Sequence, residues 1–566
     1  MRADAQATPR GFDDLGLALL MSCLAVLAWL PAAVNAGFSF DDREAIEHNG
    51  VIEGDLPWSA AFERDYWEHR GAAGHFRPLA SLALRFDRAL WGEHAAGFHV
   101  TNVALHALVV FLAALLLQRL APRRARWPWI GLALFAVHPV LADSVAWISG
   151  RSSMLSALPG LGAALHLSRA PRDGVSLAWL IWAACLGLCG SGLACLGKED
   201  GALWALALPL VAATHGRRAM WATTGGALLG LALVSAMRAQ ALGSAWITAQ
   251  HPALVDAALS ERLLVGGRGL VEAMRLVVWP VGYPPSYSGD PALRAATLVR
   301  EPALGALGLF AWASALCAVC CGLLARRSLL TFSATLAVLA WFPFLQVVPS
   351  GEVFAPRFLY LPLLCSIPLI HAGFDLAFGG RAKYLVAFAL LLCFSGAWVR
   401  GRVYSSRGAY RMAVLAARPD DVASWNDLGI WHEEEGRPQQ ALRAWRRATE
   451  LDPKYSRAWS NLGRMQLLAG DSAQAVLLLE RAVREGPDNA VAQVNLGSAR
   501  LCDGDALGAE AAQRAAIRMA PGLAKAWEGL ARALSAQSRH EEARAAIERW
   551  LVLEPGNLRA LALLGD

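Results

Sequence analysis

"ERLLVGGRGLVEAMRLVVWP", residues 261–280, decides the architecture. It is long enough to cross a bilayer, yet it carries Glu261, Arg262, Arg268, Glu272 and Arg275. Charges inside lipid are expensive, so the segment reads as an amphipathic helix lying at an interface. If it were a span, every later segment would change sides.

Around it lie runs of the roughly 20 apolar residues that a spanning helix needs. The expected spans are 15–37, 98–120, 128–147, 151–169, 175–196, 201–214, 219–241, 303–325, 328–349, 357–377 and 382–400. With these eleven and a cytoplasmic N-terminus, every cytoplasmic segment carries at least two basic residues: Arg2 and Arg10; Arg119, Arg123, Arg124 and Arg126; Arg169 and Arg172; Arg217 and Arg218; Arg326 and Arg327; Arg381 and Lys383. That is the positive-inside pattern, and a twelfth span at 261–280 would break it. The outer face then receives loop 38–97, "KED" at 198–200, 242–302, "GEVFAPR" at 351–357 and everything after the last span. The first run also reads as a signal peptide with "VNA" before Gly37 as its cleavage site, which leaves the remaining orientation unchanged.

Composition agrees: 56% of the 566 residues are hydrophobic and 17% are charged, where soluble domains carry about 25%. The net charge of +6 is not a nucleic-acid signature. Residues 402–566 hold 22 basic against 21 acidic side chains, and the excess, 30 against 25, lies in the apolar part. Nine of ten cysteines sit inside apolar runs and read as packing residues. No carboxylate–histidine set has metal-ligand spacing, so no metal is expected.

The carboxyl-terminal part repeats. Pro419, Pro453, Pro487, Pro521 and Pro555 recur every 34 residues, as do Leu428, Leu462, Leu496 and Leu530, and Gly436, Gly470 and Gly504. This is the period of the tetratricopeptide repeat, a helix–turn–helix unit. Four units span roughly 420–555, and such arrays bind peptides or protein surfaces. Asp427, Asn461 and Asn495 hold equivalent positions, where asparagines hydrogen-bond a peptide or simply face solvent. The fold class is therefore all-α: a polytopic membrane domain, 1–401, followed by a repeat superhelix, 402–566.

The notable polar residues fall on one face: Asp41 and Asp42, His75 and Arg77, His138, Asp143 and Arg151, Lys198 and Glu199, Arg357 and Tyr360. A carboxylate beside several cations suits transfer from an anionic lipid donor: the cations neutralise a phosphate leaving group and the carboxylate deprotonates a hydroxyl. No nucleotide-sugar fold or Gly-rich phosphate loop is visible. Each residue also has a plainer reading. Asp41 with Glu44 resembles a capping box. Arg77 can pair with a loop carboxylate, Arg151 can snorkel to the interface, Lys198 and Glu199 can be loop punctuation, and His138 can bond a helix carbonyl freed by Pro139.

"FSFDDREAIEHNGVI" (38–52), "HFRPLASLALRFDRALWGEHAAGFHVTNVALHAL" (75–108), "LFAVHPVLADSVAWISGRSSMLSAL" (134–158), "PRFLYLP" (356–362) and the repeats occur in the order found in the transmembrane and tetratricopeptide-repeat-containing O-mannosyltransferases, which the chain resembles. The resemblance implies a GT-C-type fold, a catalytic carboxylate in the first outer loop, a polyprenyl-phosphate sugar donor (typically a mannose), no further cofactor, and Ser or Thr acceptors on proteins. It implies Asp41 or Asp42 as base, and repeats that present the acceptor. Arg77, Arg151, Lys198 and Arg357 are the candidates for the donor phosphate, with His75, His138, Asp143, Glu199 and Tyr360 nearby. Partners are then the lipid-linked donor, a protein acceptor and membrane lipid, with no nucleic acid. The Ala-, Arg- and Gly-rich composition points to a bacterial homologue in the inner membrane. A GT-C enzyme with a non-protein acceptor and a non-enzymatic scaffold that recruits partners through the repeats are the alternatives.

Overall fold

The apolar runs form helices, because in lipid each backbone N–H and C=O must be satisfied within its own segment. In a computed structural model, residues 11–34, 36–39, 42–47, 49–67, 74–120, 128–169, 175–244, 254, 257–285, 302–325, 329–347, 354–378 and 382–565 are described. Among them helix dominates and no strand occurs. The chain divides into two compact units, Met1–Tyr410 and Arg411–Asp566.

Among the described residues of the first unit, seven helices are long and apolar enough to cross a membrane: Leu15–Ala33, Ala95–Leu120, Leu177–Gly197, Arg217–Leu242, Pro302–Val319, Pro356–Phe374 and Tyr384–Val403. No more than half of the apolar window of each is buried, as expected where lipid is the solvent. The other four expected spans are shorter or broken. The run 128–147 stops as a helix at Val137 and turns through a 3₁₀ segment, Pro139–Leu141, because Pro139 has no N–H to donate. Ser152–Leu167 has 16 residues, Trp204–Ala212 has nine, and Leu329–Ala340 has 12 before a 3₁₀ turn at Phe342–Leu345.

Close packing relies on small residues. Leu177–Gly197 runs against Arg217–Leu242, where a Cβ on Gly226 would lie 1.9 Å from the Ala184 carbonyl oxygen. The deciding segment is a helix, Leu259–Val278, and is not among the seven. It buries Val265, Leu270, Ala273 and Leu276 on one side, and its Glu272 and Arg275 pair at 2.6 Å.

The second unit consists of helix pairs at the expected period: Val422–Glu434 with Pro438–Leu451, Ser456–Leu468 with Ser472–Glu485, Ala490–Cys502 with Ala506–Met519, and Ala524–Ala536 with His540–Leu553. Gly436, Gly470 and Gly504 turn each of the first three pairs with φ of 69°, 87° and 90°, a left-handed conformation that favours glycine. Trp425, Trp459 and Trp527 each donate from Nε1 to a proline carbonyl, of Pro419, Pro453 and Pro521, at 2.9 Å. The equivalent polar positions bind within the array. Asn461 Nδ2 donates to Asn426 Oδ1 at 2.9 Å, Asn495 Nδ2 to Ser460 Oγ at 3.0 Å, and Asp427 pairs with Arg411 at 2.5 Å. These side chains tie neighbouring repeats together.

Candidate functional site

After the first long helix the chain is anchored at once: Gly37 N–H donates to Ser405 O at 2.7 Å, and His99 Nε2 lies 3.2 Å from Gly37 O. Asp42 follows at the start of a short helix, Asp42–Glu47, and is fully buried. Its Oδ2 accepts from Ser39 N–H (3.2 Å) and Ser39 Oγ (3.1 Å), and its Oδ1 from Ser149 N–H (3.1 Å) and Ser149 Oγ (3.0 Å). Four donors occupy the four acceptor positions of one carboxylate. Asp42 thus pins the first loop to the 3₁₀ turn Ile148–Arg151. The expected capping box of Asp41 and Glu44 lies outside the described residues, as does Asp41 itself and the side chain of Glu44.

Burial raises the Asp42 carboxyl from 3.8 to about 7, although its hydrogen bonds favour the charged form. The folded-state value lies above the unfolded one. The corresponding stability is therefore complete below about pH 4 and is lost as pH rises through about 7, a span of roughly 4 kcal/mol. The melting temperature of the wild type is expected to fall more steeply between pH 5 and 8 than that of Asp42→Asn. Parallel profiles would show that Asp42 does not titrate there.

Further along the loop, buried Asp65 accepts from three backbone amides: Trp67 N–H at 2.7 Å, His75 N–H at 3.0 Å, and Gly74 N–H. Tyr66 N–H donates to His75 O at 2.8 Å, and Arg238 Nη2 to Gly74 O at 2.5 Å. This clasp sets His75 and Arg77 just ahead of the helix Pro78–Trp91. Arg77 Nε and Nη2 reach Glu199 Oε2 at 3.2 and 3.0 Å, and His75 Nδ1 lies 3.5 Å from Glu199 Oε1. Burial opposes the charge on Glu199, but Arg77 and His75 outweigh it and hold the carboxyl well below its usual value.

Lys198, at the end of Leu177–Gly197, lies beside this pair. Its Nζ donates to Ser153 Oγ and to Asp200 Oδ2, both at 2.9 Å, and Ser156 Oγ holds Asp200 Oδ1 at 3.1 Å. Burial lowers the Lys198 ammonium, with Arg77 and Arg357 adding to the effect and Asp200 opposing it. The Phe358 ring is shared by Lys198 (5.6 Å) and Arg357 (5.4 Å), and Arg357 also lies over Trp147 at 5.3 Å.

His75, Arg77, Lys198, Glu199 and Arg357 thus form one region, while Asp42 is held at the Ser149 turn. Four other candidates are placed elsewhere. Arg151 is enclosed: Nη1 meets Asp87 Oδ2 at 2.6 Å, Nη2 meets Phe98 O at 3.2 Å, and Nε meets Ile148 O at 3.2 Å. It is a buried structural cation, neither snorkelling nor turned towards the cluster. His138 Nε2 contacts Val277 O at 3.1 Å, which is a carbonyl contact as the proline argument foresaw, but on a different helix. Asp143 accepts from Tyr404 Oη at 2.5 Å, and Tyr360 Oη lies 2.9 Å from His106 Nδ1. Sequence reasoning missed Tyr66, Ser149 and Asp87. Asp87 had a signal, for it falls on the buried stripe of its helix with Ala80 and Leu84. Among the described residues, no group of three or more His, Cys, Asp or Glu side chains converges on a metal position.

The tetratricopeptide-repeat family matches residues 426–490 and 492–557. The chain is 36% identical over 172 residues to "Protein O-mannosyl-transferase Tmtc1" of Drosophila melanogaster, covering 30% of this chain and 20% of that one. It is 31% identical over 192 residues to "Protein O-mannosyl-transferase TMTC2" of Homo sapiens, covering 33% and 22%. The solved structure of MamA is 22% identical with a TM-score of 0.24, covering 29% of this chain and 94% of that one. The chain spans about a fifth of the length of these curated relatives. Over about a third of its length the chain is thus similar to these protein O-mannosyl-transferases, and its second unit carries tetratricopeptide repeats.

Proposed function

We propose that the protein is an integral-membrane glycosyltransferase that moves a mannose from a polyprenyl-phosphate donor to Ser or Thr hydroxyls of proteins, with inversion. The single observation that carries this reading is the convergence of three cations, Arg77, Lys198 and Arg357. The similarity to protein O-mannosyl-transferases suggests the substrate class.

In this scheme the acceptor hydroxyl loses its proton to the first loop and its oxygen bonds to the anomeric carbon. The bond from that carbon to the phosphate oxygen breaks, and polyprenyl phosphate leaves with the electron pair. Arg77, Lys198 and Arg357 neutralise it, exchanging Glu199 and Asp200 for phosphate oxygens. The cations take the part a metal plays elsewhere, and no cofactor is called for. Asp42 has its acceptor positions filled, so the proton goes to Asp41. The reaction faces the outer, periplasmic side of a bacterial inner membrane, where the positive-inside pattern puts the loops and the repeats, and the repeats present the acceptor protein.

The test is transfer from polyprenyl-phosphate mannose to Ser/Thr peptides by the purified full chain in detergent. Glycosylated peptide is expected. A folded protein that transfers no polyprenyl-phosphate hexose would sink the reading. A second reading, a membrane-anchored scaffold, has one observation in its favour: Arg77, Lys198 and Arg151 each already hold a carboxylate. It expects partner capture by the repeats and no transfer.

A further inference from the structure

Tyr66 carries a buried hydroxyl that neither the fold nor the scheme above uses. It is 2% exposed, and among the described residues its hydroxyl has no hydrogen-bond partner. Leaving a buried hydroxyl unpaired costs about 1–3 kcal/mol, which phenylalanine in the same place would not incur. The ring is firmly held: Tyr66 N–H bonds His75 O, Asn49 Nδ2 approaches Tyr66 O at 3.5 Å, and the Trp67 ring meets it edge-on at 4.9 Å. The Asp65 clasp closes the loop on either side.

The hydroxyl lies within reach of the Arg77 charge. Burial pushes it up to about 12, Ser149, Arg77 and Arg151 pull it down, and Asp42 adds to the rise. Ser149 is near enough to act on it, yet the two hydroxyls close no hydrogen bond. At neutral pH the group is a neutral O–H. A neutral donor beside a guanidinium, with no acceptor of its own, suits an anionic oxygen. The Asp42 oxygens are already taken by Ser39 and Ser149.

We propose that the Tyr66 hydroxyl is a binding group for the donor, giving a hydrogen bond to a non-bridging phosphate oxygen of the lipid-linked sugar beside Arg77. This rests on the transferase reading for the identity of the ligand. A non-bridging oxygen shared by a guanidinium and a phenol is held in direction as well as in charge. The phosphate is thereby oriented against the first loop, where the acceptor arrives.

The experiment measures binding of polyprenyl monophosphate to the full-length protein in detergent, for wild type and Tyr66→Phe, together with melting temperature and transfer. The expected result is binding weakened about 10- to 100-fold in Tyr66→Phe, with the melting temperature unchanged or raised. Inorganic phosphate and phosphatidylglycerol should fail to compete at matched concentration, and equal competition by either would overturn the donor assignment. Binding within twofold of wild type, or a loss of binding that tracks a loss of melting temperature, also overturns it. Tyr66-dependent binding without sugar transfer would leave this proposal standing and remove the transferase reading. Transfer that ignores Tyr66→Phe would overturn this proposal alone.

Discussion

Asp87→Ala is expected to destabilise the first unit by about 3–5 kcal/mol, because it strands a buried guanidinium. Arg151 is 0% and Asp87 1% exposed, and their 2.6 Å pair sits in a closed set of bonds. Thr101 Oγ1 donates to the other Asp87 oxygen at 2.9 Å, and Arg151 also bonds the carbonyls of Phe98 and Ile148. With Asp87 gone, the positive charge has only carbonyl dipoles against it. Thermal unfolding in detergent reads the loss directly. Removing both charges should be far milder, since Asp87→Leu with Arg151→Met leaves apolar groups of similar volume. A double variant as unstable as Asp87→Ala would sink the stranded-charge account. The double variant should also still bind polyprenyl phosphate, because Arg151 does not reach the Arg77–Lys198–Arg357 region.

Arg151 illustrates what a sequence can and cannot say here. The repeats were legible because each unit is local: glycine turns, tryptophan anchors and alanine contacts recur every 34 residues. The long spans were legible from apolar length alone, and the helix Leu259–Val278 from its amphipathic pattern. The break in the 128–147 run had a visible cause in Pro139, which the apolar residues around it masked. Within the site, the residues that converged come from the first loop, the Lys198–Glu199 turn and the turn at Arg357. Each is a short polar segment between apolar helices. His138, Asp143, Arg151 and Tyr360 share those neighbourhoods in sequence but face other partners. Arg151 meets Asp87 across 64 residues, and Asp143 meets Tyr404 across 261. Pairings over such separations are set by which helix faces pack together, and no local spacing encodes that. The same holds for Asn461 and Asn495, whose period was readable while their partners in the preceding repeat were not.

The aspartate pair carries the second large expectation. Asp41→Asn should lower turnover about 10²- to 10⁴-fold, the usual worth of a general base, without moving the melting temperature. Asp42→Asn should show the opposite balance. Its carboxylate takes two backbone N–H groups and two hydroxyls, one of each per oxygen. An amide offers one oxygen, so its NH₂ must face a backbone N–H from Ser39 or Ser149. That contact is repulsive and leaves a buried donor unpaired, at about 1–3 kcal/mol. The first loop then loosens from the turn Ile148–Arg151, and turnover falls through misplacement. The two variants therefore separate along two axes, turnover and melting temperature measured on the same preparation. If Asp42→Asn melts like wild type and is inactive while Asp41→Asn is active, Asp42 must leave its serine partners during turnover, and the proton goes to it. If both variants retain full turnover, no first-loop carboxylate serves as base and the mechanism fails. The pH profile adds a further check. A base at Asp42 would require pH above its raised value of about 7 for full activity.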